Sequence, residues 1–244
     1  MVKSPKESNT GVADRARYVA LVRARHVASG LVSSGIVHEF ANLLTVFDGI
    51  RQVRQLRNEA SPDLDRMIEE PVERSRQLID AYRHVFADSW AAPATAVASA
   101  SIRADISAVA LLTRTRLRGR STRVEFESPD AADAIDAARS VPLRVVLLLA
   151  TLAIIEEGKA NDLAPVEIRI RGEIGPGESF GATIAARFGS PPAENSSHPS
   201  TGLAREAWSE AEAVVQAFAA SLRRSVDGPL VRCSVHSGPP RADA

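Results

Sequence analysis

Residues 34–50, SGIVHEFANLLTVFDGI, decide how the first part of the chain folds. Large apolar side chains recur here at intervals of 4, 3, 4 and 3 residues: Ile36, Phe40, Leu43, Phe47 and Ile50. This alternation is typical of the a and d positions of a heptad, so it predicts a helix with one face packed against other helices. Because residues 13–58 contain no proline and keep the helical spacing, we expect one helix over this whole range.

A second helix is expected to follow a turn at Ser61-Pro62-Asp63 and to run to about Asp88, with a kink or break at Pro71. Its predicted inner stripe consists of Leu64, Ile68, Val72, Ser75, Ile79, Tyr82 and Phe86. Two such helices form a hairpin. Because Val37 and Leu44 add apolar surface beside the heptad stripe, we expect two copies of the chain to pair their hairpins into a four-helix bundle.

The pattern changes after a linker-like stretch at residues 91–95. Helices are predicted at 103–118, 142–157 and 204–224, strands at 122–127, 166–171, 180–187 and 230–235, and a mobile loop at 189–200. The predicted fold class is therefore α+β, a helical hairpin followed by an α/β sandwich. The expected division is a flexible tail at 1–12, the hairpin at 13–90 and the α/β domain at 98–238.

Composition excludes several classes of protein. The 244 residues carry 30 Lys and Arg against 30 Asp and Glu, which disfavours general nucleic-acid binding. Cys233 is the only cysteine, so an intramolecular disulfide and a cysteine-based zinc site are both ruled out. The longest apolar run, Val145–Ile155, is short for a bilayer of about 30 Å, and residues 1–14 lack the apolar core of a signal peptide. We therefore expect a cytoplasmic protein with no membrane or nucleic-acid partner.

His38 is the side chain best placed for chemistry. The heptad puts it at position f, away from the packed seam, with Glu39 beside it and Asn42 one turn later. A neutral imidazole is a nucleophile near pH 7, a carboxylate can stabilise the cation that forms, and an amide can orient water. An ordinary solvated helix face explains the same spacing. Of the other histidines, His26 is expected to be a partly buried packing residue. His84, His198 and His236 have no neighbours in the sequence at the spacing of metal ligands.

Gly35-Ile36-Val37-His38-Glu39-Phe40-Ala41-Asn42-Leu43-Leu44 resembles the phosphoacceptor box of bacterial sensor histidine kinases. The resemblance implies that the hairpin is the family's dimerisation domain and that the α/β part is similar to its ATP-binding domain. It further implies that His38 accepts a phosphoryl group, with Glu39 and Asn42 as the other residues of the site. Asn42 would position water for hydrolysis of a phosphorylated receiver domain.

The nucleotide site of that family is degenerate in this sequence. The helix at 145–157 has no asparagine to bind the metal on ATP, and Ala153 stands where one is expected. The strand ending at 186–191 lacks the aspartate that would bind adenine, and the glycine-rich lid is reduced to residues 200–203. The resemblance therefore implies a chain that binds neither ATP nor a metal and carries no cofactor.

Three functions remain open. The first is a histidine phosphotransferase, similar in plan to ChpT-like proteins, which exchanges a phosphoryl group between His38 and the aspartate of a response-regulator receiver domain. The receiver would supply its own Mg²⁺. The second is an active histidine kinase with an atypical ATP site. The third is a non-catalytic scaffold that docks receivers or kinases. The retained His38, Glu39 and Asn42 favour the first over the third, and the missing nucleotide ligands favour it over the second.

Overall fold

The computed structural model describes residues 6–57, 62–86, 99–117, 121–128, 135–174, 180–190 and 202–237. The helices in these ranges are α1 (Lys6–Arg57), α2 (Pro62–Phe86), α3 (Ile102–Arg116), α4 (Ala137–Ala160) and α5 (Gly202–Ala217). The strands are β1 (Ser99–Ala100), β2 (Arg123–Glu127), β3 (Ile135–Asp136), β4 (Pro165–Ile174), β5 (Phe180–Phe188), β6 (Ala220–Asp227) and β7 (Leu230–Ser237). The predicted α+β class is confirmed.

The main sheet has the strand order β2-β4-β5-β7-β6. Strands β2 and β4 are parallel, and every other neighbouring pair in it is antiparallel. Side chains alternate along β4, where Ile168 and Ile170 are buried and Arg169 and Arg171 are exposed. This period of two places one face of the sheet against the helices and the other against solvent.

Helix α4 forms the centre of the core. Every side chain from Leu143 to Glu157 is buried, because the helix packs against α1, α3, α5 and the strands. A helix enclosed on all sides is apolar around its whole circumference, which is why this stretch is the longest apolar run in the sequence. The helix begins at Ala137, five residues before the predicted start.

Helix α1 belongs to two parts of the fold. In its first half Leu21, Ala24 and Val32 are buried in the same core as α4 and the sheet. Two arginines tie this half to α5, since Arg17 donates to the carbonyl of Ala217 at 3.1 Å and Arg23 pairs with Glu210 at 2.7 Å. Helix α1 also packs against α2, and Ser29 and Tyr82 share a hydrogen bond of 2.8 Å across that contact. The α/β domain therefore docks directly on the hairpin.

Two expectations about the hairpin need correction, and a third is narrowed. Helix α1 begins at Lys6, so part of the stretch expected to be a tail is helical. Of the kink or break expected at Pro71, the break does not occur, because α2 continues through Pro71 and is held by both α1 and α3. The inner stripe of α2 is also rotated, because α3 covers part of it: Ser75, Leu78, Ala81 and Val85 are buried, whereas Ile79 is exposed.

The last predicted helix was too long. Helix α5 ends at Ala217, and Ala219 takes a positive φ of 51° that breaks the helical path. The chain then enters β6, which pairs with β7 through a turn where Gly228 has a φ of 54°. Backbone pairing with β7 overrides the helical spacing at residues 220–224. The linker at 91–95, the loop at 191–200 and the turn residue Ser61 lie outside the described residues.

One stretch of the described chain, Val12–Val53 in α1, is long and apolar enough to cross a membrane by length and composition alone. From the sequence alone, only Val145–Ile155 is considered as a possible membrane span, and it is too short. The buried side chains of the first half of α1, including Leu21 and Val32, contact the protein core. Core-forming helices and membrane-spanning helices share this composition.

Candidate functional site

His38 lies on the exposed surface of α1, as its predicted heptad position requires. The same part of the helix exposes large apolar side chains, with Val37 at 66% and Leu44 at 64% exposure. Ile36 and Phe40 on the seam side are half-buried. The imidazole of His38 is therefore presented to solvent from a long helix that packs against α2 and α3 on one side and is exposed elsewhere around His38.

Glu39 does not lie on the exposed flank with His38. Its side chain is only 8% exposed, and its Oε1 accepts from Nη2 of Arg74 on α2 at 3.3 Å. The reason is geometric: successive residues on a helix are separated by about 100°, so the position after an exposed one turns toward the neighbouring helix. The expectation of three polar groups along one exposed flank is wrong for Glu39.

Asn42 is exposed, one turn beyond His38. Positions four residues apart differ by only about 40° around the helix, so His38 and Asn42 share a face. The structure thus places His38 and Asn42 together on the surface. Glu39 is buried instead and forms an ion pair with Arg74 of α2.

Gly35, one turn before His38, is the point where α1 touches the end of α3. A Cβ at this position would lie 2.7 Å from the backbone oxygen of Thr115 and 2.8 Å from its side-chain oxygen. Only a glycine permits this approach of the two elements without a shift. The glycine of the box therefore has a packing role, because it lets α3 lie against α1 beside His38.

Arg116, the last residue of α3, joins α1 to α4. Its Nη1 donates to Oγ of Ser34 at 3.0 Å, and its Nε donates to Oε1 of Glu156 at 2.8 Å. Lys159 bonds the same Glu156 oxygen at 2.8 Å. Burial acts to raise the pKa of Glu156, but the hydrogen bonds from Arg116 and Lys159 outweigh it and lower this pKa below its ordinary value.

Sequence reasoning missed Arg74 and Arg116 as part of this region. Both are ordinary helical arginines, and the sequence gives no signal for either partner, since Arg74 is 35 residues from Glu39 and Arg116 is 82 residues from Ser34. Only the packing of α2 and α3 on α1 brings them together.

Two of the other histidines have surroundings that the sequence did not indicate. His26 is exposed rather than partly buried. Nε2 of His84 lies 2.6 Å from Oδ1 of the fully buried Asp105. Arg144 approaches the same carboxylate oxygen at 3.8 Å. His198 lies outside the described residues.

The end of α4 is packed against protein side chains. Ala153 is fully buried in α4. A few residues later, Oε1 of Glu157 accepts from Nε1 of Trp208 at 2.6 Å and its Oε2 accepts from Arg224 at 2.6 Å. The Arg224 guanidinium lies 5.6 Å from the centroid of the Trp208 ring. Aromatic and ionic contacts thus link the end of α4 to α5 and β6.

Burial governs the ionisation of this cluster. It raises the pKa of Glu157 above its ordinary value, although Arg224 and Trp208 favour the charged carboxylate. It also raises the pKa of the nearby Cys233 thiol to about 12. Among the described residues, no group of three or more His, Cys, Asp or Glu side chains is placed to hold a metal ion.

Comparison with known proteins finds likeness only among solved structures. No protein-family model matches the chain, and no curated protein does. A histidine kinase of Acinetobacter baumannii is 15% identical, with a TM-score of 0.42, over 82% of this chain and 97% of that one. The histidine kinase domain of a blue-light-activated kinase from Erythrobacter litoralis is 13% identical, with a TM-score of 0.40, over 86% of this chain and 93% of that one.

A third structure is titled a bacterial phosphotransferase. It is 13% identical to this chain, with a TM-score of 0.45, and the match covers 85% of this chain and 95% of that one. These structural neighbours are thus two histidine kinases and a bacterial phosphotransferase.

Proposed function

We propose that this protein is a histidine phosphotransferase of a two-component phosphorelay, which exchanges a phosphoryl group between His38 and the aspartate of a response-regulator receiver domain without binding ATP. The observation that carries the proposal is the exposure of His38 on a helix that α2 and α3 hold from one side. A nucleophile that must reach phosphorus in a partner's pocket has to be accessible and rigidly oriented.

In the forward step a lone pair on one imidazole nitrogen attacks phosphorus. The bond between phosphorus and the aspartyl oxygen breaks, and its electron pair leaves with the carboxylate of the receiver. The proton on the second ring nitrogen stays, so the phosphorylated ring is cationic until that proton is lost. The reverse step returns the phosphoryl group to an aspartate. Mg²⁺ on the receiver would neutralise the phosphoryl oxygens.

Glu39 and Asn42 have different roles in this proposal. The buried carboxylate of Glu39 supplies negative charge beneath the imidazole and stabilises its cation, with Arg74 fixing the position of that carboxylate. Asn42 is exposed on the face of His38 and orients water when a phosphorylated receiver is hydrolysed. Glu39→Gln should therefore slow phosphoryl transfer, and Asn42→Ala should spare transfer while reducing phosphatase activity.

The proposal includes a homodimer formed through the hairpins. Val37, Leu44 and Phe47 are exposed in a single chain, and Phe47 continues the heptad stripe of α1. Pairing two such faces removes apolar surface from water. Cytoplasmic location and the absence of membrane and nucleic-acid partners belong to the same proposal.

The test is to incubate the purified protein with a panel of phosphorylated receiver domains and to follow radiolabel into acid-labile phosphate on the protein. Transfer that His38→Ala abolishes would support the proposal. Receiver binding without transfer would favour the docking scaffold. Calorimetry with ATP and Mg²⁺ is the second measurement, because a dissociation constant in the micromolar range would favour the active kinase instead.

A further inference from the structure

We infer that Arg116 is a phosphoryl-binding residue of this site: its guanidinium, held one helical turn before His38 by Ser34 and Glu156, donates hydrogen bonds to the phosphoryl oxygens when the group resides on His38. The inference rests on the proposed function and adds a residue from outside the hairpin to the transfer site. It makes the α/β domain a direct contributor to the chemistry.

The Arg116 guanidinium lies beside the turn of α1 that precedes His38. Arg116 Nη1 lies 3.0 Å from Oγ of Ser34, and Ser34 precedes His38 by four residues. Side chains four apart on a helix have Cβ atoms about 5–6 Å from each other. Helical side chains also lean toward the N-terminus and cover the preceding turn. A phosphoryl group on His38 therefore lies over Ser34, where the guanidinium already is.

The cluster around Arg116 contains more positive than negative side chains. Arg116 and Lys159 both bond to Oε1 of Glu156, so two cations lie beside one carboxylate. Because their hydrogen bonds lower the pKa of Glu156, this carboxylate stays ionised and keeps Arg116 in place at neutral pH.

The donors of the Arg116 guanidinium are also arranged to suit a phosphoryl group. Arginine presents its donors in a planar fork that suits phosphate. Nε of Arg116 is used by Glu156, which fixes the plane of the guanidinium. The contact through Nη1 is with a neutral hydroxyl on the exposed residue Ser34. A phosphoryl oxygen is the stronger acceptor, so exchange of the hydroxyl for the phosphoryl group is favourable.

The test compares Arg116→Gln with Lys159→Gln, a matched control that removes the other cation from the same Glu156 oxygen without touching Ser34. Circular dichroism and thermal unfolding establish that each variant folds. The first readout is carbethoxylation of His38 by diethyl pyrocarbonate, mapped by mass spectrometry, with and without inorganic phosphate. The second readout is the rate of transfer from a phosphorylated receiver.

We expect phosphate to protect His38 in the wild type and in Lys159→Gln but not in Arg116→Gln. Transfer by Arg116→Gln should fall about tenfold or more, as expected for loss of a charge-assisted hydrogen bond. Should Arg116→Gln fail to fold, Ser34→Glu gives Arg116 a permanent carboxylate partner at an exposed position and should abolish protection. Ala41→Glu places the same charge at an exposed position on the other side of His38 and should retain protection.

The outcomes separate the two proposals. A wild type that accepts no phosphoryl group from any receiver, while phosphate protects His38 only when Arg116 is present, would overturn the transferase function and support the anion site. Equal protection and equal transfer in Arg116→Gln and the wild type would overturn the role of Arg116 alone. A wild type that phosphate does not protect would overturn that role as well.

Discussion

Nε2 of His84 on α2 lies 2.6 Å from Oδ1 of Asp105 on α3, and the Asp105 side chain is completely buried. Arg144 of α4 approaches the same oxygen at 3.8 Å, so one carboxylate connects three helices. Burial lowers the pKa of Arg144, and Asp105 opposes that effect by favouring the charged guanidinium. The hairpin is thus fastened to the α/β domain by a buried polar contact in addition to apolar packing.

Replacement of Asp105 by alanine should lower the free energy of unfolding by about 3–5 kcal/mol, because it leaves Arg144 as a buried cation without that carboxylate. Chemical denaturation of the purified variant measures the change. Asp80→Asn is the control, since Asp80 is an exposed carboxylate on α2 and its loss should change stability by no more than about 0.5 kcal/mol. Equal stability of the Asp105 variant and the wild type would show that the contact contributes nothing.

Gly35→Ala should destabilise the protein by about 1–3 kcal/mol, because its Cβ would meet the Thr115 carbonyl oxygen at 2.7 Å. Gly30→Ala and Gly49→Ala are matched controls in the same helix, where nothing lies within 4 Å of the added carbon. Each control should gain about 0.5–1 kcal/mol from higher helix propensity. Denaturant titration of the three variants gives the comparison, and a Gly35→Ala protein as stable as the controls would contradict close packing at this point.

Phe47→Asp should dissociate the proposed dimer while leaving each chain folded, since Phe47 is 38% exposed in the single chain and would become enclosed when two hairpins pair. Light scattering over a micromolar concentration range follows the mass. Gln52→Asp puts the same charge at an exposed position off the heptad stripe and should remain dimeric. A wild type that is monomeric at these concentrations would remove the premise.

Glu156 and Glu157 should influence stability with opposite dependence on pH. The pKa of Glu156 is lowered from 4.5, so the folded state binds its proton less tightly, and its stabilising contribution is lost as pH falls below about 4.5. The pKa of Glu157 is raised from 4.5, so its contribution weakens as pH rises from that value through the folded-state pKa. Unfolding of Glu156→Gln and Glu157→Gln, compared with the wild type from well below pH 4.5 up to pH 7, measures each effect.

Much of the fold is readable from the sequence because its signals are local. The apolar run at 145–155 predicts a buried helix, and the alternation in β4 and β5 predicts strands, without knowledge of any partner. The exposure of His38 also follows from the heptad alone. Each of these features depends only on the spacing of apolar residues within one helix or strand, and that spacing can be read directly from the sequence.

The features that were missed depend on a second element. Burial of Glu39 requires the position of Arg74, and the end of α5 at Ala217 requires β7 as a pairing partner for β6. The partners of His84 and Arg116 lie 21 and 40 residues away along the chain, on other helices. No single-sequence pattern specifies which charged side chains meet across such distances.

Helix α1 contacts parts of the chain that are far away in sequence, and this limits the order in which the protein can fold. Arg17 bonds to the carbonyl of Ala217, 200 residues later, so the first turns of α1 meet their partners only after nearly the whole chain has been synthesised. Leu21, Ala24 and Val32 can pack earlier against core residues of α2, α3 and α4, so only the contact of α1 with α5 forms last. Contacts between residues so far apart in sequence favour slow folding. A hairpin cut from the chain at residue 90 would lack the α3, α4 and α5 side of the core that covers these side chains.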